Sequence, residues 1–281
     1  MSTTVAVTAA LVGVMSIDYT AATAYAAIPA YAQAMNEGVP LTAAHRGDPV
    51  AAPENTLPAI VAGINGGADI VEFDLHLTAD GHAVLMHDAM VDRTTDGVGP
   101  VNQLTLDQVQ QLDAGSWFGD AWRGTPVPTA REALEPFVGV STTALVEFKG
   151  TWREEEVASV IAVIDELGIG ERTVVSSFEA RTMIALQKAA PHLQRALTMR
   201  VLPASPLGLV AAYDASVVVT SMRSIDLSPR MVPQLQQAGV TVIVYTLNTP
   251  TLWQKARQAG VDVIVTDDPR GMNHWADWLG R

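Results

Sequence analysis

From Leu41 onward the chain repeats one pattern, a short run of β-branched or aliphatic residues followed by a longer stretch with helical spacing. The runs are Leu41 to Ala44, Ile70 to Leu75, Ala144 to Phe148, Thr173 to Ser176, Arg195 to Met199, Ser216 to Thr220, Thr241 to Tyr245 and Val261 to Thr266. Helical spacing covers Asn55 to Asn65, Arg153 to Leu167, Glu179 to Ala190, Pro229 to Ala238 and Pro250 to Ala259, each with a Pro near its start or a Gly or Pro past its end. Strands alternating with helices specify a parallel sheet. Eight units at near-uniform spacing favour closure, and no glycine-rich phosphate loop follows the first strand, as a doubly wound sheet would want. The expected fold is therefore α/β, a (β/α)8 TIM barrel over residues 41–281, and the 281 residues exceed the length of about 250 that such a barrel needs.

The rhythm breaks once, after the second strand. There Val71 to Leu77 and His82 to Met86 read as a hairpin around Thr78-Ala79-Asp80-Gly81, followed by a polar insertion over residues 88–127. The insertion holds a helical stretch at Leu106 to Asp113 and an aromatic cluster of Trp117, Phe118 and Trp122, read equally as its own small core or as a substrate wall. Long insertions on barrel loops are commonly functional. Residues 1–40 read as an N-terminal extension, helical around Ala21 to Met35 and packed on the main domain. Its apolar run Val5 to Ile17 is shorter than the roughly 20 residues of a membrane span, and no Lys or Arg precedes Arg46. That favours the cytoplasm over export and argues against stable membrane insertion.

Lys and Arg number 17 against 30 Asp and Glu, a net charge of −13 that repels phosphate backbones, so nucleic acid is not an expected partner. With no Cys, thiolate metal sites and a cysteine nucleophile are excluded. A homo-oligomer is compatible with all of this.

Barrel active sites lie at the C-terminal ends of the strands. The first strand ends in His45-Arg46-Gly47, the second carries Glu72 and Asp74, and the third carries Glu147 and Lys149. Residues two apart on a strand share a face, so three carboxylates can converge. A hairpin turn centred on Ala79-Asp80 or on Asp80-Gly81 would set His87 opposite Glu72 or Asp74, bringing it to the pocket with His45. Like charges crowded together need a cation, and hard oxygen donors suit Ca²⁺ or Mg²⁺ better than Zn²⁺. Beside such an ion, Arg46 and Lys149 can hold an anion and the two imidazoles can move protons, which points to a phosphodiester as substrate. The carboxylates are expected to hold His87 nearer its protonated form, favouring an acid role. His76, His82, His192 and His274 are read as hairpin, surface or helix residues, and Asp267 and Asp268 as caps of the loop after the last strand.

These residues, in this order, resemble the glycerophosphodiester phosphodiesterase family. The likeness runs from Ala43 to about Arg270 through His45-Arg46-Gly47, Pro53-Glu54-Asn55-Thr56, Val71-Glu72-Phe73-Asp74, His87-Asp88, Asp92-Arg93-Thr94-Thr95, Leu112 to Phe118, Pro128-Thr129, Glu147-Phe148-Lys149 and Val265-Thr266-Asp267. The resemblance implies a metal-dependent hydrolase that converts glycerophosphodiesters to sn-glycerol 3-phosphate and an alcohol through a cyclic phosphate. It implies Glu72, Asp74 and Glu147 as ligands of one divalent cation, His45 and His87 as the acid-base pair, and Arg46 and Lys149 on the phosphate. Glu54 is implied as an extra or weaker metal ligand, with Asn55, Tyr245 and Asn248 as further site residues. Tyr245 stands where the family more often has Trp, which bears on substrate shape rather than reaction type. Two rival readings are a phospholipase D-like or phosphoinositide-cleaving enzyme, for which no clear interfacial patch is visible, and a silent phosphodiester-binding module, disfavoured because the whole acid, base and metal set is present.

Overall fold

A computed structural model describes residues 38–280, and the helix expected at Ala21 to Met35 lies outside them. In chain order the elements are β1 (Leu41–Ala44), α1 (Leu57–Asn65), β2 (Ile70–Leu77), β3 (Ala83–Leu85), α2 (Leu106–Gln110), α3 (Ala130–Leu134), β4 (Thr143–Phe148) and α4 (Glu154–Leu167). They continue with β5 (Thr173–Ser177), α5 (Ala180–Ala189), β6 (Gln194–Met199), α6 (Leu207–Ala212), β7 (Val217–Ser221), α7 (Met222–Leu227) and α8 (Met231–Gln237). The chain then forms β8 (Thr241–Tyr245), α9 (Pro250–Gln258), β9 (Val263–Thr266) and α10 (Pro269–Trp278).

The sheet runs β1-β9-β8-β7-β6-β5-β4-β2-β3, and β1 also pairs with β2, which closes eight parallel strands into the expected barrel. The short helices α6 and α7 have no counterpart in the sequence reading. In α6 a Gly208 interrupts the helical run, and α7 has no side-chain cap to announce it.

Both faces of the barrel strands are buried. Leu41, Ile70, Leu145, Val174, Ala196, Val217, Ile243 and Val263 fill the interior, while Val71, Phe73, Val146 and Val175 meet the helices outside. Each buried aliphatic contributes roughly 1.5–3 kcal/mol. The apolar stripe of α4, Val157, Val160, Ile161 and Ile164, packs on that outer layer. The helix then stops at Gly168, whose φ of 66° suits a residue without Cβ. Because the interior positions are the odd or even ones of each strand, the same parity carried to the strand ends decides which side chains enter the mouth of the barrel.

The hairpin differs from expectation. Leu75 faces Leu85 and Leu77 faces Ala83, a register midway between the two considered, with Thr78 and His82 closing a three-residue turn. Continued, this ladder would put His87 opposite Phe73, on the outer face. Instead β3 ends at Leu85, and the chain beyond Met86 leaves the sheet, which frees His87 to turn inward. The insertion packs around its own apolar cluster of Val91, Val101, Val109 and Ala114 with Val84, Met86 and Val127. Among the described residues, no helix is long and apolar enough to cross a membrane.

Candidate active site

The loop after β1 is built to present its backbone to Glu72. Arg46 takes a left-handed φ of 60°, which costs a non-glycine residue roughly 1–2 kcal/mol. Its N–H then donates to the Glu72 carboxylate at 2.8 Å, and the Gly47 N–H donates to the Glu72 carbonyl at 3.1 Å. Gly47 must be glycine, since a Cβ there would lie 2.4 Å from the Ala59 carbonyl carbon. Asn55, also left-handed at φ 53°, donates to Asp74 Oδ2 at 2.8 Å and accepts the Asp74 N–H at 3.0 Å.

Strand parity brings Glu72, Asp74 and Glu147 together as expected. They are buried, each offers an oxygen within 4.8 Å of the others, and together they could hold a metal ion. Burial and the mutual repulsion with Asp74 push the Glu147 carboxyl up to about 7 and that of Glu72 well above the usual carboxylate range. Asp74 is equally buried, yet Lys149, His87 and Arg46 hold its carboxyl below that range. Lys149 donates to Glu147 at 2.7 Å and approaches Asp74 at 3.3 Å, and these charges outweigh burial to raise its own pKa.

Each histidine is backed by an aspartate. His45 Nδ1 is 2.5 Å from Asp267 Oδ1, and Asp267 is anchored by the Asn248 side-chain amide, which donates to it at 2.5 Å and accepts its N–H at 2.8 Å. His87 Nδ1 is 2.6 Å from Asp88 Oδ1. A ring whose Nδ1–H donates to a carboxylate leaves Nε2 for the pocket. Burial holds His87 below the ordinary imidazole value; Asp74 and Asp88 favour its protonated form, as expected, but do not outweigh that burial.

Arg93, from the insertion, donates to Asp88 at 2.6 Å and to both oxygens of Glu54 at 2.8 and 2.9 Å, while Arg46 donates to Glu54 at 2.7 Å. Glu54 is thus engaged by two guanidinium groups and lies outside the acidic trio, as does Asn55, whose contacts orient Asp74. The cavity over the barrel mouth measures about 480 Å³. Its lining holds His45, Arg46, Glu72, Asp74, His87, Glu147, Lys149 and Tyr245.

Against this geometry stands one further finding. Residues 45–270 match the model of the glycerophosphoryl diester phosphodiesterase family. The chain belongs to this family. It is 34% identical over 238 residues to a glycerophosphodiester phosphodiesterase of Caldanaerobacter subterraneus, covering 82% of this chain and 94% of that one. Among solved structures, an Oleispira antarctica phosphodiesterase in complex with the product sn-glycerol-3-phosphate superposes with a TM-score of 0.76 at 27% identity, over 86% of this chain and 99% of the other. A glycerophosphodiester phosphodiesterase of Agrobacterium tumefaciens gives a TM-score of 0.75 at 30% identity, over 84% and 100%. The enzyme class expected from the sequence is met.

In this phosphodiesterase several residues escaped the sequence reading. Asp267 does not merely cap a loop; Asp268 does that, accepting from Gly271 N–H at the start of α10, while Asp267 serves His45. Phe178 and Arg200, two beyond Ser176 and Thr198 on strands of known parity, line the cavity and could have been found by extending the alternation past the strand ends. Trp117, Phe118 and Trp122 stack edge to face on one another and do not line the cavity. Asp267→Asn is expected to lower kcat by roughly tenfold to a hundredfold, the scale for losing the carboxylate that orients an imidazole. An unchanged kcat and pH profile would remove Asp267 from the machinery.

The trio also makes a pH prediction. Carboxyls raised above their unfolded value near 4.3 stabilise the fold below that pH, and the contribution is lost as pH climbs through their folded values, about 7 for Glu147. Chelated protein should therefore lose stability as pH rises, while a bound divalent cation should offset the repulsion. The gap in Tm between metal-loaded and chelated protein is expected to widen from about pH 5 to about pH 8. A constant gap would contradict this account.

Proposed function

We propose that the protein hydrolyses glycerophosphodiesters to sn-glycerol 3-phosphate and an alcohol, with His45 and His87 as the acid-base pair. The observation that carries the reading is the meeting of two aspartate-backed imidazoles with a buried acidic trio and two cations in one cavity. The Oleispira relative's complex with sn-glycerol-3-phosphate supports the same substrate class. Glu72, Asp74 and Glu147 fit a hard divalent cation, Ca²⁺ or Mg²⁺: all donors are carboxylate oxygens, and burial with mutual repulsion holds two of them toward the protonated form. When bound, such an ion neutralises charge that builds on the phosphoryl oxygens.

The chain's own residues supply the rest. Nε2 of one histidine takes the proton of the glycerol 2-hydroxyl as that oxygen attacks phosphorus, and Nε2 of the other protonates the departing alcohol. With the protons then reversed, the two rings deliver water to the cyclic phosphate. Arg46 and Lys149 face the phosphate and hold its charge in place. Asp267 and Asp88 keep each Nδ1–H engaged, and Asn55 orients Asp74. Residues 41–281 serve as the catalytic barrel, with 88–127 as an insertion that delivers His87 and Arg93.

The test is release of sn-glycerol 3-phosphate from glycerophosphoethanolamine with and without EDTA. Turnover that EDTA abolishes and Ca²⁺ or Mg²⁺ restores is expected. Binding without turnover under any divalent cation would defeat the enzymatic reading.

A further inference from the structure

The charges in the cavity are not equally compensated. Arg46 is paired with Glu54, and Lys149 with Glu147 and Asp74. Arg200, an exposed residue at the rim, lines the same cavity and has no ion-pair partner among the described residues. It follows the last residue of β6, and β6 lies four strands from β1 in either direction around the barrel, so Arg200 faces His45 across the mouth. Its backbone is anchored, with the Ser221 hydroxyl donating to its carbonyl at 2.5 Å.

The buried Thr198 Oγ1 and the Tyr245 hydroxyl oxygen, both on residues lining the cavity, have no hydrogen-bond partner among the described residues. Buried hydroxyls are ordinarily satisfied, but those of Thr42, Ser216 and Thr220, which do not line the cavity, are unpartnered in the same way, so it is Arg200 that points to a ligand. Phe178 and Tyr245 meet edge to face, with centroids 6.2 Å apart, and such a corner could begin a cage for a quaternary ammonium. That use is pre-empted: Lys149 Nζ sits 5.6 Å from the Phe178 centroid, and Arg200 adds a second positive charge to the wall.

We infer that Phe178, Thr198, Arg200 and Tyr245 form the subsite for the departing alcohol, and that it selects an alcohol bearing a carboxylate or a second phosphate over one bearing a quaternary ammonium. The inference rests on the glycerophosphodiesterase reading. The acidic trio and both histidines occupy the β1, β2 and β4 side, so a diester whose phosphorus lies there reaches Arg200 only with one of its two ends. An anionic end gains a charge-assisted hydrogen bond from Arg200, whereas trimethylammonium cannot.

The test compares kcat/KM for glycerophosphoserine, glycerophosphoethanolamine, glycerophosphocholine and a glycerophosphoinositol phosphate, in wild type, Arg200→Gln and Arg200→Glu. Wild type should favour the serine ester over the ethanolamine ester by at least about tenfold, the scale of one charge-assisted hydrogen bond, with the choline ester no better than ethanolamine. Arg200→Gln should cut the serine-to-ethanolamine ratio by about tenfold, and Arg200→Glu should put choline first. The inositol phosphate ester should likewise exceed the ethanolamine ester, and a rate no better than ethanolamine would overturn selection for a second phosphate. A wild-type preference for choline, or losses in Arg200→Gln equal across all the esters, would overturn the proposal. Calorimetric binding of O-phosphoserine against phosphocholine keeps the subsite testable without turnover: tighter phosphoserine binding that Arg200→Gln abolishes is expected, and equal binding overturns it. Failure to hydrolyse any ester, with that difference intact, would instead count against the hydrolase reading.

Discussion

Asp74→Asn and Glu72→Gln are each expected to reduce turnover by roughly 10³-fold or more, to the level of the chelated enzyme, since losing a bound cation removes several kcal/mol of transition-state stabilisation. Both side chains are buried in the trio, and Asp74 in addition carries contacts from Asn55, Lys149 and Arg46. Asp74→Asn therefore strips a charge from the most heavily partnered position of the site. Loss of Ca²⁺ or Mg²⁺ binding by calorimetry, alongside an unchanged circular dichroism spectrum, checks that the cause is the ion and not the fold. Elemental analysis showing a metal-free preparation with full wild-type turnover would sink the idea that the trio serves a cation.

For His45→Ala and His87→Ala the expected fall in kcat is about 10²-fold or more each, the usual consequence of deleting a general acid or base. The fold should persist, because both residues sit just beyond their strands and neither belongs to a core cluster. The measurement is single-substrate kinetics beside thermal unfolding. A variant at either position that turns over near the wild-type rate would take that histidine out of the reaction.

Much of this architecture is legible in the sequence. Strand periodicity is local, so Leu41 to Ala44 and Thr241 to Tyr245 were read with the bounds the structure has, and the parity of Glu72, Asp74, Glu147 and Lys149 followed from counting by two. Helices with strong punctuation, such as Arg153 to Leu167 before Gly168, were found to within a residue. Weakly marked ones, α6 and α7, were not. The hairpin register was missed because Thr78 to Gly81 carries turn residues at adjacent positions, and a shift of one reverses the face of every side chain that follows.

What the sequence by itself determined is the barrel, its hairpin insertion and the identity of the converging carboxylates and histidines, since all of these rest on periodicities and spacings that a short stretch of chain can express. What only the tertiary structure decided is how those groups are held and charged. Asp267 reaches His45 across 222 residues because closure sets β9 beside β1, and Arg93 joins Glu54 to Asp88 because the insertion folds back over the mouth. Burial likewise sets the proton affinities of Glu147 and His87, and only the closed circle of strands shows that Arg200 stands opposite His45 without a carboxylate to meet it. Contacts between distant segments and the withdrawal of groups from water exist only once the chain has closed, and no local pattern encodes them.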